Sequence, residues 1–176
     1  MTSYLTANGA DNSSVYFAQP YNIDAVGFYF TSMEDYSVKA NGHTDHYGQP
    51  VEEYEIQFIN GDNYRLFNEL AINQATLATW FENFADIEAD EDDYLKAVYL
   101  AENGYDIADI LSRMRDIWLY HGRAEDYAEE IISECYDVPS QLEYYIDYEA
   151  FARDMRINGD FGVLETDQGD VLVFGH

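Results

Sequence analysis

Basic residues are scarce in this chain: Lys and Arg number 8 among 176 residues, against 35 Asp and Glu. The resulting formal charge of −27 argues against any protein that holds nucleic acid or an anionic membrane surface, because both repel it. Cysteine is almost absent. Cys135 stands alone, so no disulfide forms within the chain, which agrees with a reducing cytoplasm. No apolar run approaches the ~20 residues that span a bilayer. The opening stretch MTSYLTANGADNSS lacks the basic and apolar regions of a signal peptide. There is no Gly-rich phosphate loop, no Gly-x-Ser-x-Gly elbow and no internal repeat. Acid pairs are so numerous that none stands out as a general acid and base. Nothing here argues for an enzyme, a cofactor or a resident metal.

Apolar material is plentiful. Hydrophobic residues make up 47% of the chain and aromatics 16%, with 17 Tyr and 10 Phe, which is enough for packed cores and excludes a disordered polyanion. The length allows one domain or two to three small subdomains. Residues 1–61 read as strands and loops. VGFYFT at 26–31 has the look of a buried strand, and EYEIQFI at 53–59 alternates as a half-buried one. Residues 39–50, dense in turn formers, read as a flexible loop. Residues 62–114 turn to helical spacing: Tyr64, Phe67, Leu70 and Ala71, then Leu77, Trp80, Phe81 and Phe84, then Tyr94, Leu95, Val98 and Tyr99, and a short helix over 106–114. Residues 115–176 open on a short strand at 117–120. A helix over 123–135 follows, with the apolar stripe Ala124, Tyr127, Ala128, Ile131, Ile132 and Cys135. A second helix is capped by Asp147 and stopped at Asn158-Gly159, and a terminal hairpin turns at 167–170. The fold class is therefore α+β, in three parts: mixed β/α, helical, then α+β.

The acids are spread over the middle and C-terminal parts. Asp86, Glu88, Asp90, Glu91, Asp92 and Asp93 fall within eight positions. Glu102, Asp106 and Asp109 follow. Glu125, Asp126, Glu129, Glu130 and Glu134 sweep roughly half the circumference of their helix, opposite the apolar stripe. A solvated helix face usually mixes signs, yet between Leu66 and Ser112 the only base is Lys96. Salt, a metal or a basic partner protein must supply the cations. B-DNA carries one charge per ~1.7 Å of axis, so 27 net charges match roughly 46 Å of duplex. A protein that binds DNA through a basic groove would be attracted in the same way.

Rival constellations are weak. An EF-hand loop begun at Asp86 needs Gly at its sixth position and Glu at its twelfth, where this chain has Glu91 and Ala97. His43 and His46 with Asp45 lack further rigid ligands for zinc. Cys135 reads as a buried structural thiol, and Tyr144, Tyr145 and Tyr148 as core first and interface second.

One segment is more specific. Tyr145, Ile146, Asp147, Tyr148, Glu149, Ala150, Phe151, Arg153 and Asp154, then Gly159, Asp160 and Phe161, closely resemble the C-terminal signature of the ArdA antirestriction proteins. Tyr21-Asn22 with Gly27, Phe28 and Phe30 is weakly similar to the N-terminal element of that family, and Glu53 to Ile56 also fits. Phe28-Tyr29-Phe30 replaces the usual Trp-Phe, and the loop around 39–50 is longer. The resemblance implies an elongated homodimer of three small subdomains, joined through the C-terminal one. It implies a mimic of bent B-form DNA that occupies the DNA-binding groove of Type I restriction–modification enzymes in a bacterial host cell. The acids named above would then be phosphate surrogates. Charge alone leaves two alternatives open: a mimic aimed at another DNA-binding defence complex or nucleoid protein, and an acidic salt-adapted or cation-binding protein.

Overall fold

The computed structural model describes residues 14–175, so the reading of the first thirteen residues lies outside the described part. The chain is α+β and divides into two compact units, residues 1–89 and 90–176. This boundary falls inside the stretch that sequence periodicity reads as one helical region. The helices of that stretch are shared between two cores. No helix among the described residues is long and apolar enough to cross a membrane.

The first unit is built on a three-stranded antiparallel sheet of order β2-β1-β3, from β1 (Val15–Pro20), β2 (Phe28–Phe30) and β3 (Tyr54–Asn60). Strand β1 is central, pairing Phe17 with Tyr29 on one side and with Gln57 on the other. Strand β2 is shorter than the run at 26–31 suggests. It is an edge strand, and Val26 lies outside it, exposed. Helix α1 (Met33–Ala40) follows, begun by Ser32, whose hydroxyl accepts from the Asp35 amide at 3.1 Å. Helices α2 (Tyr64–Glu69) and α3 (Leu77–Asn83) complete the unit.

Most of the Phe in the chain falls in this unit, where aromatic rings build the core. Tyr16, Phe30, Phe67, Trp80 and Phe84 are all buried. Tyr16 stacks on Phe30 with centroids 5.4 Å apart, and Phe67 meets Trp80 edge-on at 5.3 Å. The indole of Trp80 donates to the Tyr16 hydroxyl at 2.9 Å, which satisfies two polar atoms that burial would otherwise strand. The loop expected over 39–50 begins inside α1, which runs to Ala40, and the rest of it is held by hydrogen bonds. The Asp45 carboxylate accepts from the amides of Tyr47 at 2.9 Å and Gln49 at 2.8 Å and from the Asn22 side chain at 3.1 Å, and Thr44 bridges to Pro50. An aspartate that serves its own turn in this way fixes the backbone.

The second unit holds helices α4 (Glu91–Glu102), α5 (Ile107–Arg113), α6 (Ala124–Cys135), α7 (Ser140–Glu143) and α8 (Tyr148–Asn158). Its antiparallel sheet has the order β4-β6-β5, from β4 (Trp118–His121), β5 (Gly162–Thr166) and β6 (Gly169–Phe174). Strand β6 is central, and Val171, Leu172, Val173 and Phe174 are buried without alternation because both faces are covered. On one face Phe161, Leu172 and Phe174 pack with Ala124 and Tyr127 of α6 and Met155 of α8. The other face meets α4. Gly162, paired with Val173, lies so close under the Tyr99 hydroxyl that a Cβ there would collide with it. Gly159 ends α8 in the left-handed region at φ 84°, as the Asn158-Gly159 signal predicts.

Two sequence expectations fail in this unit. Cys135 is exposed, not buried. It is the last residue of α6, beyond Ile132, the last buried position of that helix. Tyr144 and Tyr145, expected in the core first, are 90% and 78% exposed on the segment between α7 and α8. Tyr148, inside α8, is half-buried.

Candidate functional site

The acidic residues that stand out in the sequence come to lie at helix starts and on outer helix faces. Asp86 and Glu88 belong to the first unit, where a 3-10 turn spans Ile87–Ala89. The remaining acids belong to the second unit, and each set is described within its own unit.

In the first unit Asp86 is exposed. Glu88 has an unforeseen partner. Asn63 is fully buried, and its side-chain amide donates to the carbonyls of Phe84 at 3.1 Å and Ala85 at 2.8 Å and also to the Glu88 carboxylate. Glu88 is thus tied to the start of α2. No local sequence signal marks this link, because the partners are 25 residues apart.

In the second unit Asp90 caps α4 by accepting from the Asp93 amide at 3.1 Å, and Glu91, Asp92 and Asp93 fill the first turn. Four carboxylates at a helix N-terminus are stabilised by the helix dipole and by otherwise unpaired amides. Two of the four are also paired. Lys96 reaches Asp93 at 3.1 Å, and the His121 ring lies 2.8 Å from Asp92. The sequence separation of 29 residues hid the second contact, so Asp92 has a hydrogen-bonding neighbour that the local sequence does not show. Asp106 caps α5, accepting from Ala108 and Asp109 at 2.9 Å each, with Asp109 exposed in the first turn.

Helix α6 presents the broadest acidic face. Ala128 and Ile132 are buried, while Asp126, Glu129, Glu130 and Glu134 are exposed. Glu125 is half-buried. The Arg123 guanidinium donates to it at 2.6 Å and holds its carboxyl below the usual range. Glu130 accepts from the Tyr120 hydroxyl at 2.9 Å, and that bond to a carboxylate pushes Tyr120 up to about 12. Glu134 in the last turn of α6 and Glu102 in the last turn of α4 stand at the negative end of a helix dipole. Acids there cost roughly 0.3–1 kcal/mol each.

The residues of the C-terminal signature mostly have visible structural tasks. Asp147 caps α8, accepting from the Ala150 amide at 2.9 Å. Ala152 and Phe161 are buried, Ile146, Tyr148, Ala150 and Phe151 are half-buried, and Gly159 supplies the left-handed cap. Glu149, Arg153, Asp154 and Asp160 are exposed.

His43 and His46 do not form a metal centre with Asp45. The His43 ring bonds the Tyr54 hydroxyl at 2.7 Å and the His46 ring the Asp24 carbonyl at 3.0 Å. Among the described residues no group of three or more His, Cys, Asp or Glu is arranged to hold a metal ion.

No curated protein matches the chain in sequence. A family model does: the antirestriction protein (ArdA) model covers residues 23–169, which include the acidic run, the α6 face and the whole C-terminal signature. The chain belongs to the ArdA family of antirestriction proteins.

Proposed function

We propose that this protein blocks restriction by standing in for B-form DNA in the DNA-binding groove of Type I restriction–modification enzymes. The family is one of antirestriction proteins and implies an interaction with restriction enzymes. The mimicry and the Type I target are our reading.

One observation carries it: exposed carboxylates on α4, α5 and α6 stand on short helices whose backs are packed into a core, so they are held in place while open to a partner. A basic groove built for phosphates pairs with such carboxylates, and long-range attraction speeds encounter. Inhibition is by occupancy. Asp86, Glu88, Asp90 to Asp93, Glu102, Asp106, Asp109, Glu125, Asp126, Glu129, Glu130 and Glu134 share the contact, so no single one dominates. The protein acts as a homodimer joined through its C-terminal part, in the cytoplasm of a bacterial host. Two copies carry −54, twice the −27 of one chain, equivalent to roughly 27 base pairs of duplex.

The test is a Type I nuclease assay on unmodified DNA at low salt with purified protein. Near-stoichiometric inhibition, relieved by competing duplex, is expected. Undiminished cleavage in the presence of a molar excess of the protein would overturn the reading.

A further inference from the structure

Five of the eleven asparagines in this chain stand immediately before a glycine, at positions 8, 41, 60, 103 and 158. Asn8 lies outside the described residues. Each of the other four ends an element: Asn41 follows α1, Asn60 closes β3, Asn103 follows α4 and Asn158 closes α8. The glycines after them all have positive φ, which accounts for Asn-Gly as a stop signal. The dipeptide also has a chemistry of its own, and asparagine is thermolabile for that reason. With no Cβ on the second residue, its backbone nitrogen can reach the side-chain carbonyl carbon of the asparagine and close a cyclic imide. Closure requires the peptide between the two residues to rotate and its N–H to lose the proton.

The four sites differ in whether that peptide is free. Exposure does not separate them, since all four asparagines are exposed. After Asn103, the Gly104 amide donates to the Ala101 carbonyl at 2.9 Å, and the Asn103 side chain donates to the Tyr99 carbonyl at 2.8 Å. After Asn158, the Gly159 amide donates to the Arg156 carbonyl at 3.1 Å. Asn60 is paired with Val15 in the sheet, and Gly61 is packed against Ser14 and Phe58. Asn41 is the exception. It has left the helix at ψ 113°, and its own amide is tied back to the Ser37 carbonyl. Neither its side chain nor the Gly42 amide makes a hydrogen bond among the described residues. A Cβ on Gly42 would meet nothing within 4 Å, so there is room to turn.

We propose that Asn41 is a site of spontaneous deamidation in the folded protein. The Gly42 nitrogen, having given its proton to water, bonds to the side-chain carbonyl carbon of Asn41. The bond from that carbon to the side-chain nitrogen breaks, and ammonia leaves with a proton taken from water. A water molecule then opens the imide at one of its two carbonyls and leaves aspartate or isoaspartate at position 41. Nothing is oxidised or reduced. The product carries one negative charge more than the −27 of the parent, placed two residues beyond Lys39. Isoaspartate also lengthens the main chain between α1 and the turn that Asp45 fixes. The inference does not depend on the decoy reading, and its failure would leave that reading intact.

Peptide mass mapping of the full chain tests it, during incubation at mildly alkaline pH, folded and in parallel unfolded in guanidinium chloride. In the folded chain residue 41 is expected to convert at least about five-fold faster than residues 60, 103 and 158, where a hydrogen bond or sheet pairing must open first. In the unfolded chain this ranking should vanish. Water enriched in heavy oxygen should leave its label in the new carboxyl, and enzymatic methylation should detect isoaspartate at 41. Asn41→Gln should lose the reaction at that position, with unchanged circular dichroism because the side chain is exposed. The proposal is overturned if Asn41 stays intact in the folded chain while the unfolded chain converts, if Asn103 or Asn158 converts as fast as Asn41 in the folded chain, or if the new carboxyl carries no label.

Discussion

At the scale of single residues, two contacts make sharp tests. The Tyr120 hydroxyl donates to Glu130, and the folded state holds its proton to about 12 against an ordinary value of 10.0. A group whose folded value is raised contributes stability that is complete below the unfolded value and is lost as pH climbs through the folded one. The contribution of this pair should therefore be full below pH 10 and fade between about 10 and 12. In Glu130→Gln the Tyr120 midpoint should fall toward 10, followed by NMR of ring-labelled tyrosine; an unmoved midpoint would show that the bond does not form in solution. The second contact is steric. Gly162→Ala would push a methyl group into the Tyr99 hydroxyl beside β5, an edge strand of the second sheet. A loss of about 1–3 kcal/mol is expected in urea unfolding, as for other overpacked cores. Stability equal to the parent would mean that α4 does not approach the sheet so closely.

At the scale of elements, capping and charge can be separated. Asp106 has two roles: it caps α5 and it adds to the acidic surface. Asp106→Ala should cost about 0.5–2 kcal/mol, whereas Asp106→Asn keeps an equivalent cap and should cost almost nothing. Both remove the same charge, so both should weaken inhibition of the nuclease by the same small factor. If only the alanine variant loses inhibition, the role of Asp106 is structural. Elements of this kind were largely legible in the sequence. The α6 stripe, the Asp147 cap, the Gly159 stop and the terminal hairpin follow from period and turn chemistry alone. Helix α1 escaped because it buries only Tyr36 and so shows no apolar stripe, although Ser32 followed by Asp35 was a fair start signal. Cys135 was misplaced for a related reason. Spacing tells which way a side chain points, but not how far along the helix the covering elements extend. The partners of the acidic residues were the least legible part. Asn63 with Glu88 and His121 with Asp92 are joined by tertiary folding across 25 and 29 residues, which no local pattern encodes.

At the scale of the whole molecule, a charge of −27 makes opposite demands on folding and on binding. Self-repulsion loosens the folded chain, and salt relieves it. The melting temperature should rise by a few degrees as salt is added, with the protein already folded at low ionic strength. Capture of the target should move the other way, weakening by about ten-fold or more between roughly 50 and 200 mM salt. A salt-adapted protein without a basic partner would behave differently: it would unfold at low salt. Thermal melts and inhibition titrations over the same salt series decide between the two. Inhibition that is indifferent to salt would remove the electrostatic basis of the decoy.

The exposed Cys135 at the end of α6 bears on how these experiments are read. A lone surface thiol oxidises in air to a disulfide between two molecules, and a covalent pair made in the tube would pass for the proposed homodimer on a sizing column. Mass measurements therefore need reductant or a Cys135→Ser control. The same thiol is also a ready handle: one spin label or dye can be attached to the unaltered sequence, beside the acidic face, and can report when a restriction enzyme closes over it.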